Sequence, residues 1–245
     1  MKKCIVVMPV ANEEATMKPV IDKVMATDYP ELYLYPVVDS YSKDRTEEII
    51  REAEKEYGGR VKCLFHKKSK GLVSCYLFGF VNALRDGADY IIEMDGGGSH
   101  DPEALPLFLE KLEEGYDCVF GSRFVDGGSI KDHPLYRRIL SSGGTLLSNA
   151  MLGTKLKDMT SGYEAFTKEV LSSMDLGAFL SRGHMYQTEM RYYCRKFNIC
   201  EVPITYIGGG SSLKPKAVAE ALKILFRLKN NEKRIFSAGS NRNDR

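Results

Sequence analysis

Two acids and one arginine stand where apolar runs give way to polar turns, and their chemistry suits a phosphorylated ligand. Asp39 closes the run Tyr33–Val38 and opens the turn Asp39-Ser40-Tyr41-Ser42-Lys43-Asp44-Arg45-Thr46. A carboxylate there is placed to accept hydrogen bonds from a ribose or a base. Asp95 follows Tyr90-Ile91-Ile92-Glu93-Met94 and leads into Gly96-Gly97-Gly98-Ser99-His100-Asp101-Pro102. Three successive glycines keep side chains out of the way of a bulky ligand and permit φ > 0. Asp95 is therefore the obvious carboxylate for a metal that also grips phosphates. Arg123, at the end of Gly121-Ser122-Arg123, carries a planar fork suited to phosphate oxygens. Asp101-Pro102 reads as an N-cap and N1 pair, and His100 as a turn histidine bonding within its own loop.

These residues need elements to position them, and the chain supplies a regular alternation. Strand-like runs at Cys4–Met8, Tyr33–Val38, Val61–Phe65, Tyr90–Met94 and Asp117–Phe120 alternate with helical segments at about 13–26, 45–57 and 72–85 and after Pro102. Such alternation predicts an α/β fold with a mostly parallel sheet and helices on both faces, its ligands gathering where strands end. After the first strand comes Pro9-Val10-Ala11-Asn12-Glu13-Glu14, where the proline is expected to stop the strand and Asn12 to cap a helix. That turn is acidic. It lacks both a GxGxxG dinucleotide fingerprint and the basic, glycine-rich phosphate loop of a nucleotidyltransferase. Further helices are expected over 134–152, where Leu146, Leu147, Met151 and Leu152 either pack or touch a lipid tail, and through Cys194, the latter lining the cleft.

At 245 residues the chain can bury a full core without staples. Six cysteines sit mostly in apolar stretches without metal-ligand spacing, so they read as reduced thiols of a cytoplasmic protein. No run of about 18 apolar residues offers a membrane span. Charge is uneven: nine Lys or Arg against three acids from Lys214 to Arg245 give that end +6 of the chain's total +2, leaving −4 elsewhere. A basic end of this kind meets an anionic surface, and charge alone admits a phospholipid headgroup or nucleic acid. The helix expected after Pro215 aligns Val218, Ala221, Leu222, Leu225 and Leu228 among lysines, a pattern suited to docking on the domain or to lying on lipid.

The ordered set Pro9 to Glu13, Asp39 with Ser42 and Thr46, Lys70-Gly71, Met94-Asp95 with Ser99 to Glu103, Gly121 to Phe124, Ser161-Gly162-Tyr163 and Glu201 to Ile204 resembles family 2 GT-A glycosyltransferases. It is most similar to the dolichol-phosphate mannose synthase and polyprenyl-phosphate glycosyltransferase branch. The resemblance implies a Rossmann-like GT-A domain over 1–213, to which the chain's own pattern adds a C-terminal amphipathic basic helix over 214–236 and a disordered tail over 237–245. It implies a nucleotide-sugar site of Pro9, Ala11, Glu13, Asp39, Lys70, Asp95 and Gly96, with Asp95 also the metal ligand for Mg²⁺ or Mn²⁺. Arg123, Arg137 and Ser141 match positions that hold the acceptor's phosphate, and Asp95 and Arg123 are the catalytic pair. The implied partners are GDP-mannose or UDP-glucose and a polyprenyl-phosphate lipid, with peripheral contact at the inner membrane face and no nucleic acid.

Two departures fall on acidic positions. The family carries a second acid where this chain has Ser40, and its metal-binding Asp-x-Asp is here Asp95-Gly96-Gly97; some relatives add a glutamine ligand where Ser99 stands. One carboxylate with substrate phosphates and waters suffices for Mg²⁺, and Lys70 or the arginines are the other source of positive charge. The implied reaction is an inverting displacement at the anomeric carbon. An acceptor phosphate, already ionised, needs no strong base; a saccharide hydroxyl does, and Asp101, His100 and Glu189 are its candidates. A catalytically silent sugar-nucleotide module is the remaining alternative.

Overall fold

The computed structural model describes residues 1–131, 135–183, 185–208 and 215–237, and of 135–138, 215–220, 229 and 237 the backbone alone. The chain runs β1 (Cys4–Val10), α1 (Met17–Met25), β2 (Leu32–Asp39), α2 (Thr46–Glu56), β3 (Leu64–His66), α3 (Leu72–Arg85) and β4 (Tyr90–Glu93). After a 3-10 turn at Pro102–Ala104 come α4 (Leu105–Glu113), β5 (Cys118–Ser122), β6 (Ser129–Lys131), α5 (Leu135–Leu152), β7 (Glu164–Thr167) and α6 (Lys168–Ser172). The chain continues through α7 (Tyr186–Cys194), β8 (Ile199–Pro203), β9 (Thr205–Ile207) and α8 (Pro215–Ser237).

Seven strands form one sheet in the order β3-β2-β1-β4-β7-β5-β8, and β6 pairs with β9 beside it. Among the described residues, β7 alone of the sheet's strands runs antiparallel to its neighbours, β4 and β5, and the remaining pairings are parallel. Every residue of β1 is buried, as a strand covered on both faces requires. Its side chains alternate between two cores. Ile5 and Val7 join Val37, Tyr76, Phe80, Met190 and Leu228 on one face, while Cys4, Val6 and Met8 join Met17, Ile21, Ile50, Phe108 and Leu112 on the other. Helices α3, α7 and α8 thus cover one side and α1, α2 and α4 the other, giving the expected three-layer architecture.

Several expectations shift at element ends. Pro9 does not stop β1, which continues to Val10. Val7 turns its carbonyl to Met94 N, so Pro9, two residues on, points its missing donor the same way, beyond the β4 ladder that ends at Val7. Asn12 does not cap α1: it sits at φ 58°, and the helix begins only at Met17. Val61 makes an isolated bridge to Leu34 rather than starting β3. In α5, Leu152 is buried whereas Leu146 and Leu147 are exposed; α8 docks through Leu225, Leu228 and Ile235 and exposes Leu222. No helix among the described residues is long and apolar enough to cross a membrane. Of the expected tail over 237–245, Ser237 ends α8 and the rest lies outside the described residues.

Candidate active site

β2 lies to one side of β1 and β4 to the other, so the strand order reverses at β1. Crevices at such switch points, outside the strands' carboxyl ends, are where α/β sheets take ligands. Asp39 ends β2, Asp95 lies two residues past the end of β4, and Arg123 follows β5, all on the same edge of the sheet. With neighbouring strands about 4.8 Å apart, Asp95 and Arg123 are two strands, or about 10 Å, from each other, and Asp39 stands a further ~10 Å along the edge.

The loop after β1 is laced to the loop after β2. Asn12 N donates to Ser42 Oγ at 3.0 Å, Lys43 N to Asn12 Oδ1 at 2.9 Å, Glu13 N to Thr46 Oγ1 at 2.7 Å and Glu14 N to Asp44 Oδ2 at 3.0 Å. Ser42 therefore holds Asn12 and Thr46 holds Glu13. Asp39, 6 % exposed, accepts from Tyr41 N at 2.9 Å and from Ser69 Oγ at 2.8 Å. Ser69 anchors the loop that carries exposed Lys70.

Asp95 is gripped from several directions. Its Oδ1 accepts from Tyr76 OH at 2.7 Å, its Oδ2 from Ser99 Oγ at 3.2 Å, and its backbone N donates to His100 Nδ1 at 3.1 Å. Burial lowers the pKa of His100, although the Asp95 charge opposes this, and the ring stays neutral. With Nδ1 accepting, the proton resides on Nε2, which lies 3.8 Å from Asp95 Oδ2. Tyr163 stacks on the same ring at 4.9 Å. Burial, then the charges of Asp95 and Glu93, push the Tyr76 hydroxyl far up, so it remains a donor.

The three glycines serve three separate ends rather than simply clearing space. A Cβ at Gly96 would meet Val10 Cγ1 at 2.3 Å and the Pro9 carbonyl at 2.9 Å, so this residue lets the turn seat directly on β1. A Cβ at Gly97 would meet Glu13 Oε1 at 2.9 Å, while Gly98 adopts φ +77°.

Arg123 is 8 % exposed and is held by a carboxylate the sequence reading did not single out. Its Nε donates to Asp158 Oδ2 at 2.7 Å and its Nη2 to Asp158 Oδ1 at 2.8 Å and Thr160 Oγ1 at 2.5 Å. Helix α5 passes beside this pair: Met159 N donates to Thr145 Oγ1 at 3.1 Å, and Ser141, half-buried, lies one turn earlier. The side chain of Arg137 lies outside the described residues.

Glu189 does not line the cleft. It is fully buried and accepts from Leu180 N at 2.8 Å, Ser181 N at 2.7 Å and Tyr193 OH at 3.2 Å, holding a loop. Asp101 caps the 3-10 turn by accepting from Glu103 N at 3.2 Å. Beneath the site lie buried groups that escaped notice: Glu93 accepts from Tyr186 OH at 3.1 Å, and Arg191 pairs with Glu164 at 2.6 Å and donates to the carbonyls of Ser161 and Gly121. An acid inside an otherwise apolar strand, as in Tyr90-Ile91-Ile92-Glu93, was the available signal.

An open, mostly parallel sheet with acids lined along its carboxyl edge at the switch point defines a GT-A-like nucleotide-sugar transferase fold. Residues 5–174 match the model of glycosyl transferase family 2, and the chain belongs to that family. It is 32 % identical over 226 residues to a polyprenol monophosphomannose synthase of Mycolicibacterium smegmatis, covering 90 % of this chain and 84 % of that one. An undecaprenyl-phosphate mannosyltransferase of Micrococcus luteus is 38 % identical over 65 % of this chain and 68 % of its own. A dolichol-phosphate mannosyltransferase of Pyrococcus furiosus is 31 % identical over 92 % of this chain, which spans 63 % of that enzyme. Glucosyl-3-phosphoglycerate synthase from Mycobacterium tuberculosis shares the fold, with a TM-score of 0.65 and 18 % identity over 94 % of this chain and 80 % of its own.

Proposed function

We propose that this protein transfers a hexose from a nucleotide diphosphate sugar to a polyprenyl phosphate, with inversion at the anomeric carbon. The observation that carries the reading is the edge itself: Asp39 and Asp95 flank the switch point, while the three groups that could serve a hydroxyl acceptor as base are engaged elsewhere. His100 is buried and neutral beneath Asp95, Asp101 caps a turn, and Glu189 holds a loop. An acceptor that arrives ionised needs none of them.

On this reading Pro9, Ala11, Glu13 and Asp39 receive the nucleoside, and Asp95, Gly96 and Lys70 the diphosphate. An oxygen of the lipid phosphate forms the new bond to the anomeric carbon as the bond to the nucleoside diphosphate breaks, and the electron pair leaves with that diphosphate. No proton is removed from the nucleophile. The protein's part is to hold the two reactants in line and to present cations to the departing charge. Asp95 suits Mg²⁺ or Mn²⁺ in its donor chemistry, retaining lone pairs on both oxygens after its bonds to Tyr76 and Ser99. Such an ion, when bound, offsets negative charge on the leaving diphosphate. Arg123 Nη1, together with Arg137 and Ser141, is the set offered to the acceptor phosphate. The relatives' names favour mannose, and with it GDP-mannose over UDP-glucose.

Peripheral contact with the cytoplasmic face of a membrane belongs to the same reading. Phe226 on α8 is 72 % exposed and Leu146 on α5 73 %, with Ile139 and Leu222 also exposed. Lys223, Arg227 and Lys233 are exposed on α8. Apolar side chains among cations suit an anionic lipid surface. The decisive test incubates the protein with GDP-mannose or UDP-glucose and undecaprenyl phosphate, with Mn²⁺ or with EDTA, and detects the product lipid by mass spectrometry. A polyprenyl-phosphate hexose is expected. Nucleotide binding without any transfer would identify a silent module, and transfer to a saccharide alone would identify the other acceptor class.

A further inference from the structure

The geometry points to Glu13 as the second carboxylate of the diphosphate-metal site, in place of the aspartate that this chain lacks at position 97. This rests on the transferase reading but departs from it in one respect: it moves Glu13 from the nucleoside to the diphosphate.

A Cβ built on Gly97 would lie 2.9 Å from Glu13 Oε1, 3.5 Å from its Cδ and 3.6 Å from its Oε2. An aspartate at 97 would carry its own carboxylate oxygens about 2.4 Å from that same Cβ. Glu13 thus brings an anionic oxygen into the volume that an aspartate side chain at 97 would enter, and the glycine leaves that volume open to it. Residue 97 is two residues from Asp95, so its Cα lies within about 7 Å of that of Asp95.

The carboxylate is also held. Thr16 Oγ1 donates to Glu13 Oε2 at 3.0 Å, and Glu13 N donates to Thr46 Oγ1 at 2.7 Å. Both bonds leave Oε1 without a donor among the described residues, on the side that faces Gly97. Asp95, two residues before Gly97, has Oδ1 on Tyr76 and Oδ2 on Ser99. Behind Asp95, His100 Nε2 is buried, has no hydrogen-bond partner among the described residues and lies 3.8 Å from Oδ2, so its N–H backs this carboxylate. Mg²⁺ is commonly held by one or two carboxylates plus substrate phosphates and waters, and Asp95 with Glu13 supplies two.

The test reads metal binding rather than turnover. Free Mn²⁺ is followed by electron paramagnetic resonance as the intact protein is titrated in saturating GDP or UDP. Glu13→Gln, with an unchanged melting temperature, is expected to bind Mn²⁺ about 10- to 100-fold more weakly. Glu13→Asp, one methylene short of Gly97, reads the same loss. Adding Gly97→Asp to Glu13→Gln is expected to restore most of the Mn²⁺ affinity. Unchanged Mn²⁺ affinity in Glu13→Gln, with weaker nucleotide binding in EDTA, overturns the inference and returns Glu13 to the nucleoside while leaving the transferase reading intact. A wild-type protein that binds neither nucleotide overturns both.

Discussion

Replacing Asp158 by Asn is expected to cost about 3 kcal/mol of stability, because the substitution leaves the Arg123 guanidinium buried against a neutral amide. The Asp158 side chain is fully buried and that of Arg123 is 8 % exposed. The carboxylate accepts from Arg123 Nε, Nη2 and backbone N, and from Thr160 N and Oγ1. Burial alone would raise its pKa, but the hydrogen bonds and charge of Arg123, with Arg191 behind, hold it down at about 2 against an ordinary 3.8. Nearly two pKa units correspond to about 2–3 kcal/mol. Breaking one partner of a buried pair costs about 3–5 kcal/mol, and the two ranges meet near 3. A depressed folded pKa means that this contribution is whole above pH 3.8 and is lost as pH falls toward 2. Urea unfolding at pH 7 and through the range from pH 4 to pH 2 measures both. Wild type should lose stability over that acid range, and Asp158→Asn, weaker at pH 7, should lose correspondingly less. A variant within 1 kcal/mol of wild type at pH 7 would refute the reasoning, and Arg123 would then be free to serve the acceptor with its whole guanidinium rather than with Nη1 alone.

Gly96→Ala forces a Cβ onto Val10 and the Pro9 carbonyl; overpacking of about 1–3 kcal/mol should lower the melting temperature by several degrees and weaken nucleotide binding, and an unchanged protein would contradict the close seating. Glu93 is pushed up by burial and then by the Glu164 carboxylate, so its stabilising contribution is complete below about pH 4.5 and declines as pH rises through its folded pKa. Glu93→Gln should accordingly flatten the fall in urea midpoint as pH rises from about 4.5, in part only because Glu164, pushed up to about 7, contributes to the fall up to that pH; an equally steep fall would exclude Glu93 as its source. Phe226→Glu with Leu146→Glu should reduce cosedimentation with phosphatidylglycerol vesicles by about tenfold or more, the worth of one buried apolar side chain, while transfer to a short soluble polyprenyl phosphate persists. Undiminished vesicle binding would place the lipid contact elsewhere.

The parallel half of the sheet was legible because its strands are buried on both faces and read as unbroken apolar runs. The runs at Cys4–Met8 and Tyr33–Val38 needed nothing more than their composition, although β1 goes on to Val10, and Asp39 and Asp95 announced themselves as the acids just beyond such runs. The antiparallel strand Glu164–Thr167 was not legible: it has four residues, begins with an acid and owes its place to β4 and β5 on either side. What was hidden in the site follows from that strand. Asp158, Glu164 and Arg191 become partners only when β7 is inserted between β4 and β5 and α7 is laid across it, and side-chain periodicity carries no record of that insertion. Asn12 misled for a related reason. Its type suits a helix cap, but the neighbouring loop offered Lys43 N and Ser42 Oγ at close range, and those long-range bonds won over the local cap.

A site that has given up one acid depends more heavily on the placement of those that remain. Burying Glu93, Glu164 and Arg191 is costly, and apolar residues of the same volume would serve stability as well or better. Their placement explains what is gained in return. Glu93 keeps Tyr186 in position, Tyr186 stacks on Tyr76 at 6.0 Å, and Tyr76 donates to Asp95. On the other side Tyr163 backs His100, which holds the Asp95 backbone. The carboxylate is thus fixed before any ligand arrives, and little ordering remains to be done at the moment of reaction. It follows that Tyr76→Phe, which removes one hydroxyl from a group that touches no substrate, should lower kcat with little change in donor KM, because what it loosens is the alignment of Asp95 and not the grip on the nucleoside. A rise in donor KM at constant kcat would mean instead that Asp95 serves binding alone.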